Sequence, residues 1–182
     1  MSCWSKRMLI FLKLLWALAV FWHVLAFCQG GYCVLQAYAS LFDGSRDPLR
    51  QHRIKVAEWH LWASGLAIIA LGILLAGGLC YFQNPKLWTK LVVVIVWLAT
   101  SLMLGNLRHI STLSGRRSAL LLICSISAAC WLYGAFLGVA KSLANGAVPF
   151  GAFISGFGLT ILGCIAATFW LERRHTCYEG EI

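Results

Sequence analysis

The 182-residue chain is 60% hydrophobic and 12% charged, with a mean hydropathy of +0.79, which excludes a soluble domain of ordinary composition, where roughly a quarter of the residues are charged. Its formal net charge of +9 comes from Lys and Arg set in short clusters between apolar runs. Clusters of that kind form no continuous basic face, so they read as topology signals and contacts to membrane lipid, and nucleic acid is not the expected partner.

Taken in order, the chain predicts an all-α membrane protein, a single domain built as a bundle of five transmembrane helices. A short polar start with Lys6 and Arg7 precedes an apolar run from Met8 to about Ala39. That run exceeds the core of a secretory signal, and the lipoprotein-like Leu25-Ala26-Phe27-Cys28 has a bulky Phe27 where a small residue is required. An uncleaved first helix is therefore expected, able to run past the bilayer at one end. Lys13 lies near its start, where it can snorkel, whereas His23 lies near its middle.

Residues 41–57 are the most polar part of the chain. Asp47-Pro48 predicts a turn, followed by a short interfacial helix. The second span is expected from about Ala57 to Phe82, with Glu58 in its first turn and Gly65 and Gly72 two turns apart on one face, where a neighbouring helix can approach closely. Asn84-Pro85 marks a turn and places Pro85 at the start of the third span, over residues 88–107, with Trp88 and Lys90 as an aromatic anchor and a snorkelling cation. The second and third spans are then two equal arms of a hairpin, which predicts that His60 and His109 share one membrane face with their Cβ atoms within roughly 12 Å. A fourth span over 118–140 carries Gly134-x-x-x-Gly138, and a fifth over 150–171 is rich in small residues, Gly151 and Ser155 among them. Such faces suit a homo-oligomer or a membrane partner. Glu172 to Ile182 reads as a polar tail.

Five spans put the termini on opposite sides. Lys6, Arg7, Lys13, Lys86, Lys90 and Lys141 lie on the N-terminal side, six in all; Arg46, Arg50, Arg53, Lys55, Arg108, Arg116, Arg117, Arg173 and Arg174 lie on the other, nine in all. The expectation is a bacterial inner-membrane protein with its N-terminus outside and its C-terminus in the cytoplasm.

The eight cysteines lack ligand spacing and read as small hydrophobes. Histidines carry the candidate chemistry, because a neutral imidazole ligates haem or a metal, and an ionisable group inside a span is a functional candidate by default. The candidate cofactor-binding residues are His23, His60, His109 and Lys90. For His23 the alternative is a hydrogen bond to Ser, Thr or a backbone carbonyl of a neighbouring helix; for His60 and His109 it is solvation at an interface. The tryptophans either line a flat cofactor or serve as packing and interface anchors.

Trp22-His23, His60-Leu-Trp-Ala-Ser64-Gly65 and Asn84-Pro-Lys-Leu-Trp88-Thr-Lys90-Leu together resemble the small bacterial membrane proteins that include the CopD-type copper-resistance domains. The same stretch is similar, more distantly, to the HemJ-type protoporphyrinogen oxidases, in which a His of the first span and a Lys at this position are taken as important. The resemblance covers about His23 to Asn106 and implies His23 and Lys90 as functional residues. The chain departs from the HemJ pattern at Tyr38-Ala-Ser-Leu-Phe42 and in having no His soon after Lys90, and from a copper carrier in having three Met. Two functions fit: a protein holding haem b, a porphyrin or a metal through its histidines, or a small permease or accessory subunit without catalysis.

Overall fold

The computed structural model describes residues 3–43, 48–76, 82, 84–107, 116–140, 143 and 148–179. Among these there are five α-helices, α1 (Cys3–Asp43), α2 (Pro48–Leu75), α3 (Pro85–Leu107), α4 (Arg116–Val139) and α5 (Phe150–Glu179), and no strand. Each holds a segment long and apolar enough to cross a membrane: Arg7–Gln36, His52–Leu75, Pro85–Leu104, Arg117–Val139 and Phe150–Arg174. The all-α fold with five membrane-length helices is as the charge-free runs require, since without water only a helix satisfies every backbone group within one segment.

Several helix boundaries differ from the sequence expectation. At 41 residues α1 is about 60 Å long, well beyond a hydrocarbon layer of about 30 Å. The turn expected at Asp47-Pro48 falls partly outside the described residues, and the stretch after it, expected as a separate interfacial helix, is the beginning of α2, whose first residue is Pro48. Proline is well suited to that position because its missing N–H has no intrahelical partner there. As a result Glu58 and His60 lie three turns inside α2 rather than at its start. The helix stops at Leu75, ahead of Gly77-Gly78 in the sequence. At the other end of the chain α5 continues through the expected polar tail to Glu179.

The chain forms two compact units, Met1–Gln83 and Asn84–Ile182. In the first, α1 packs against α2. Joined by so short a connection, two helices in contact run antiparallel. The face α1 turns inward is small, with Ala19, Ala26, Gly30 and Cys33 buried, and α2 answers with Ala57, Ser64 and Gly72. Small residues let backbones approach closely where the surrounding lipid is as apolar as leucine and supplies no hydrophobic drive.

In the second unit α4 packs against both α3 and α5. The core is Val93, Cys130, Tyr133, Leu137, Phe153 and Phe157, flanked by the edge-to-face pair Trp97 and Trp131, whose ring centroids lie 5.9 Å apart. Asn84 caps α3: its Oδ1 accepts from the Lys86 N–H at 3.0 Å. Two polar contacts set the antiparallel register of α4 on α5. Near one end, Arg117 Nε meets Glu172 Oε1 at 3.1 Å; deeper, Ser125 Oγ donates to Thr168 Oγ1 at 2.7 Å, with both residues buried. Toward the opposite end the Tyr133 hydroxyl donates to the Phe153 carbonyl at 2.5 Å and rests against Gly156, where a Cβ would lie only 3.0 Å from it.

Candidate functional site

The α1/α2 unit brings two sequence-predicted histidines into one neighbourhood. His23 projects from α1 and Ser64 from α2, each close to the midpoint of its membrane-length segment. Their side chains meet, His23 Nδ1 to Ser64 Oγ, at 2.9 Å. Ser64 is fully buried, and its hydroxyl also reaches the carbonyl of His60, one turn earlier, at 2.6 Å. The next carbonyl, of Leu61, is further away at 3.2 Å. Gly65 lies against the ring: a Cβ there would sit 3.6 Å from His23 Cε1, ordinary contact distance, so an alanine would fit.

This geometry fixes the imidazole chemically. A serine has a single hydroxyl proton, and the short bond to the His60 carbonyl holds it. Ser64 Oγ therefore accepts from His23, and the His23 proton is on Nδ1. In a neutral ring that leaves the lone pair on Nε2. A ring fixed in this way, with one nitrogen donating to a protein oxygen, is the arrangement that orients ligating histidines generally.

His60 stands beside this pair. Its ring meets Trp22 edge to face, centroids 5.9 Å apart and planes inclined by 69°. His60 Nδ1 is buried and has no hydrogen-bond partner among the described residues. A buried lone pair without a donor costs less than a buried N–H without an acceptor, so His60 is best accommodated with its proton on Nε2. On this reasoning the two histidines, one on α1 and one on α2, carry opposite tautomers.

Of the other predicted residues, Lys90 lies exposed on α3 in the second unit, and His109 lies outside the described residues, as does its expected pairing with His60. No group of three or more His, Cys, Asp or Glu that could hold a metal ion occurs among the described residues. The tryptophans are mostly outward or in packing pairs: Trp16, Trp22, Trp59, Trp62, Trp88 and Trp170 are exposed. Of the Gly134-x-x-x-Gly138 pair, Gly138 is exposed with nothing near its Cβ position, as is Gly151 on α5.

Sequence reasoning did not single out Ser64. The available signal was its place one turn after His60 and next to Gly65, on the small face of α2. It also missed Lys86, which is buried and donates through Nζ to the Ala140 carbonyl at 2.6 Å, closing the C-terminal end of α4 where the helix dipole favours a cation.

No protein-family model, curated protein or solved structure matches this chain.

Proposed function

We propose that this multi-pass membrane protein holds a b-type haem, with His23 as the ligating imidazole, Ser64 as the residue that sets its tautomer, and His60 with Trp22 beside it. The observation that carries this reading is the His23–Ser64 bond near the middle of two membrane-length segments, which puts the His23 lone pair on Nε2. An apolar setting and a single proximal histidine meet the requirement for haem iron. The group, when bound, would supply redox chemistry; His23 would hold it, and Ser64 would keep the ring in the ligating tautomer. Lys90, carried from the CopD-type and HemJ-type resemblance, is not needed for ligation.

The test is a reduced-minus-oxidised spectrum of protein purified in mild detergent and supplemented with haem. A Soret band that His23→Ala abolishes and Lys90→Gln leaves in place supports the proposal. No Soret band in the wild-type chain removes it.

A second reading, an accessory subunit in a homo-oligomer or membrane complex, is favoured by the open surroundings of Gly138 and Gly151 and the exposed Ser155. A partner that co-purifies with the wild-type chain and is lost on Gly138→Leu, with no bound chromophore, selects it. The proposed orientation in a bacterial inner membrane, N-terminus outside and C-terminus cytoplasmic, rests on the nine-to-six distribution of Lys and Arg. A reporter fused after Ile182 that reads the outer side reverses it.

A further inference from the structure

Cys130 on α4 and Cys164 on α5 are far apart in the sequence, and the register of the two helices brings them together. Ser125 and Thr168 touch across the helices, and further along the rings of Tyr133 and Phe157 do so, with centroids 5.4 Å apart. The thiols lie between these two contacts. Cys130 is five residues from Ser125 and Cys164 is four from Thr168, so along antiparallel helices rising about 1.5 Å per residue their levels differ by only about 1.5 Å. Both face the neighbouring helix. Cys130 packs in the core with Phe153 and Phe157 of α5, and Cys164 shares one stripe of α5 with Phe157, Ile161 and Thr168, at spacings of three and four residues. Both thiols are free, and the two sulfurs are near enough to interact electrostatically.

Beside this pair the groove between α4 and α5 widens into a cavity of about 460 Å³, lined by Leu132, Tyr133, Phe136, Ala152, Phe153 and Thr160 among others. Its two hydroxyls are turned onto backbone, Tyr133 donating to the Phe153 carbonyl and Thr160 to the Gly156 carbonyl. The walls therefore offer aromatic rings and hydrocarbon. Tyr133 is three residues from Cys130 and Thr160 is four from Cys164, so the thiols lie one helix turn from the cavity on the same two helices. Leu132, Phe136 and Ala152 are exposed, and they belong to segments apolar enough to lie in a bilayer, so a ligand reaches the cavity from among acyl chains. Such a ligand is lipid-soluble, and a flat ring is the shape that aromatic walls bind best.

We propose that Cys130 and Cys164 are a redox-active dithiol, oxidised to a disulfide that joins α4 to α5 by a lipid-soluble quinone whose ring occupies the adjoining cavity. In this step both S–H bonds break and one S–S bond forms. The two protons and two electrons pass to the quinone, which leaves as the quinol. Cys164, half-buried and one turn from the cavity residue Thr160, is the sulfur the quinone reaches first; Cys130, 3% exposed, closes the bond. A disulfide requires Cα atoms within about 7 Å, a separation that helices in side-chain contact on both sides of the pair can supply. The proposal is independent of haem, since it concerns other residues in the other unit.

The full chain, purified in mild detergent and reduced, tests it on addition of a short-chain ubiquinone analogue, whose fully substituted ring has no position free for thiol addition. The expected result is quinol formation, read from the ultraviolet spectrum, together with a Cys130–Cys164 link in the peptide map. Cys130→Ala and Cys164→Ala each abolish both. Ala152→Phe, which fills the cavity, slows quinol formation severalfold but leaves linking by the small neutral oxidant diamide unchanged. Thermal unfolding identifies variants that remain folded. Absence of the link with either oxidant overturns the pairing, and quinol formation that survives in Cys130→Ala assigns the electrons to other cysteines and overturns it too. A link formed by diamide but not by the quinone, or quinol formation unchanged in a folded Ala152→Phe variant, overturns the quinone assignment.

Discussion

Ser64→Ala is the substitution that bears most directly on the histidine site. It deletes the hydroxyl that accepts from His23 Nδ1 and donates to the His60 carbonyl, while Ala fits the fully buried position without strain. The lost interhelical bond is worth about 0.6 kcal/mol on average inside a membrane protein, and up to about 1.7 kcal/mol. Against this, alanine has the better helix propensity, by roughly half a kcal/mol. His23 also retains an escape, because it can move its proton to Nε2 and leave an acceptor rather than a donor without a partner. The expected net destabilisation is thus about 1 kcal/mol or less, a shift in Tm of about 2–4 °C per kcal/mol for a chain of this size. Heteronuclear NMR of the imidazole nitrogens supplies the second readout: His23 is protonated on Nδ1 in the wild-type chain and shifts toward Nε2–H in Ser64→Ala. A haem-binding chain should accordingly bind haem more weakly in the variant, since the proton then competes for the ligating nitrogen. A wild-type His23 protonated on Nε2 would refute the tautomer argument outright, whatever the stability change.

Other contacts give sharper stability tests. Ser125→Ala and Thr168→Ala should be non-additive, with a coupling of about 0.6 to 1.7 kcal/mol in a double-mutant cycle, because each hydroxyl is the other's partner across α4 and α5; additive effects would show the pair is not formed. Gly156→Ala brings a Cβ within 3.0 Å of the Tyr133 hydroxyl, so it should destabilise by about 1–3 kcal/mol, and the loss should shrink in a Tyr133→Phe background. Arg117→Ala should change Tm little, within about 1 kcal/mol, since the arginine side chain is 62% exposed although Glu172 is largely covered. Thermal unfolding in one detergent measures all of these.

The helices were legible because stretches without Asp, Glu, Lys or Arg have few alternatives in lipid. Their ends were not. Pro48 and the charged residues after it read as a break, yet Pro48 begins α2, and Arg and Lys are good helix formers wherever water reaches them. The same holds for Glu172-Arg173-Arg174: Arg174 lies 3.9 Å from the Trp170 ring centroid, one turn back, and Glu172 reaches Arg117, so the polar residues extend α5. At the site, the position of His23 near mid-span was readable, and the hydrogen-bond alternative weighed for it is the contact found. Its partner was not, because the sequence does not give the register between α1 and α2. Lys90 entered through a family resemblance, and it lies exposed on α3 in the second unit.

The polar groups inside the apolar segments show why His23 stands apart. Thr89, Thr100, Ser155, Thr160 and Thr168 all donate to a carbonyl three or four residues back in their own helix. Such back-bonding satisfies a hydroxyl locally and asks nothing of a neighbouring helix. Ser64 does the same with His60, and only then accepts from an imidazole on another helix. An imidazole has two nitrogens and one proton when neutral, so donation from Nδ1 to Ser64 leaves the lone pair on Nε2. Phenylalanine or leucine fills the same space near the middle of a span without burying a titratable group. The half-buried imidazole of His23 thus ties α1 to α2, and Ser64, which accepts from its Nδ1, is the residue that sets its tautomer.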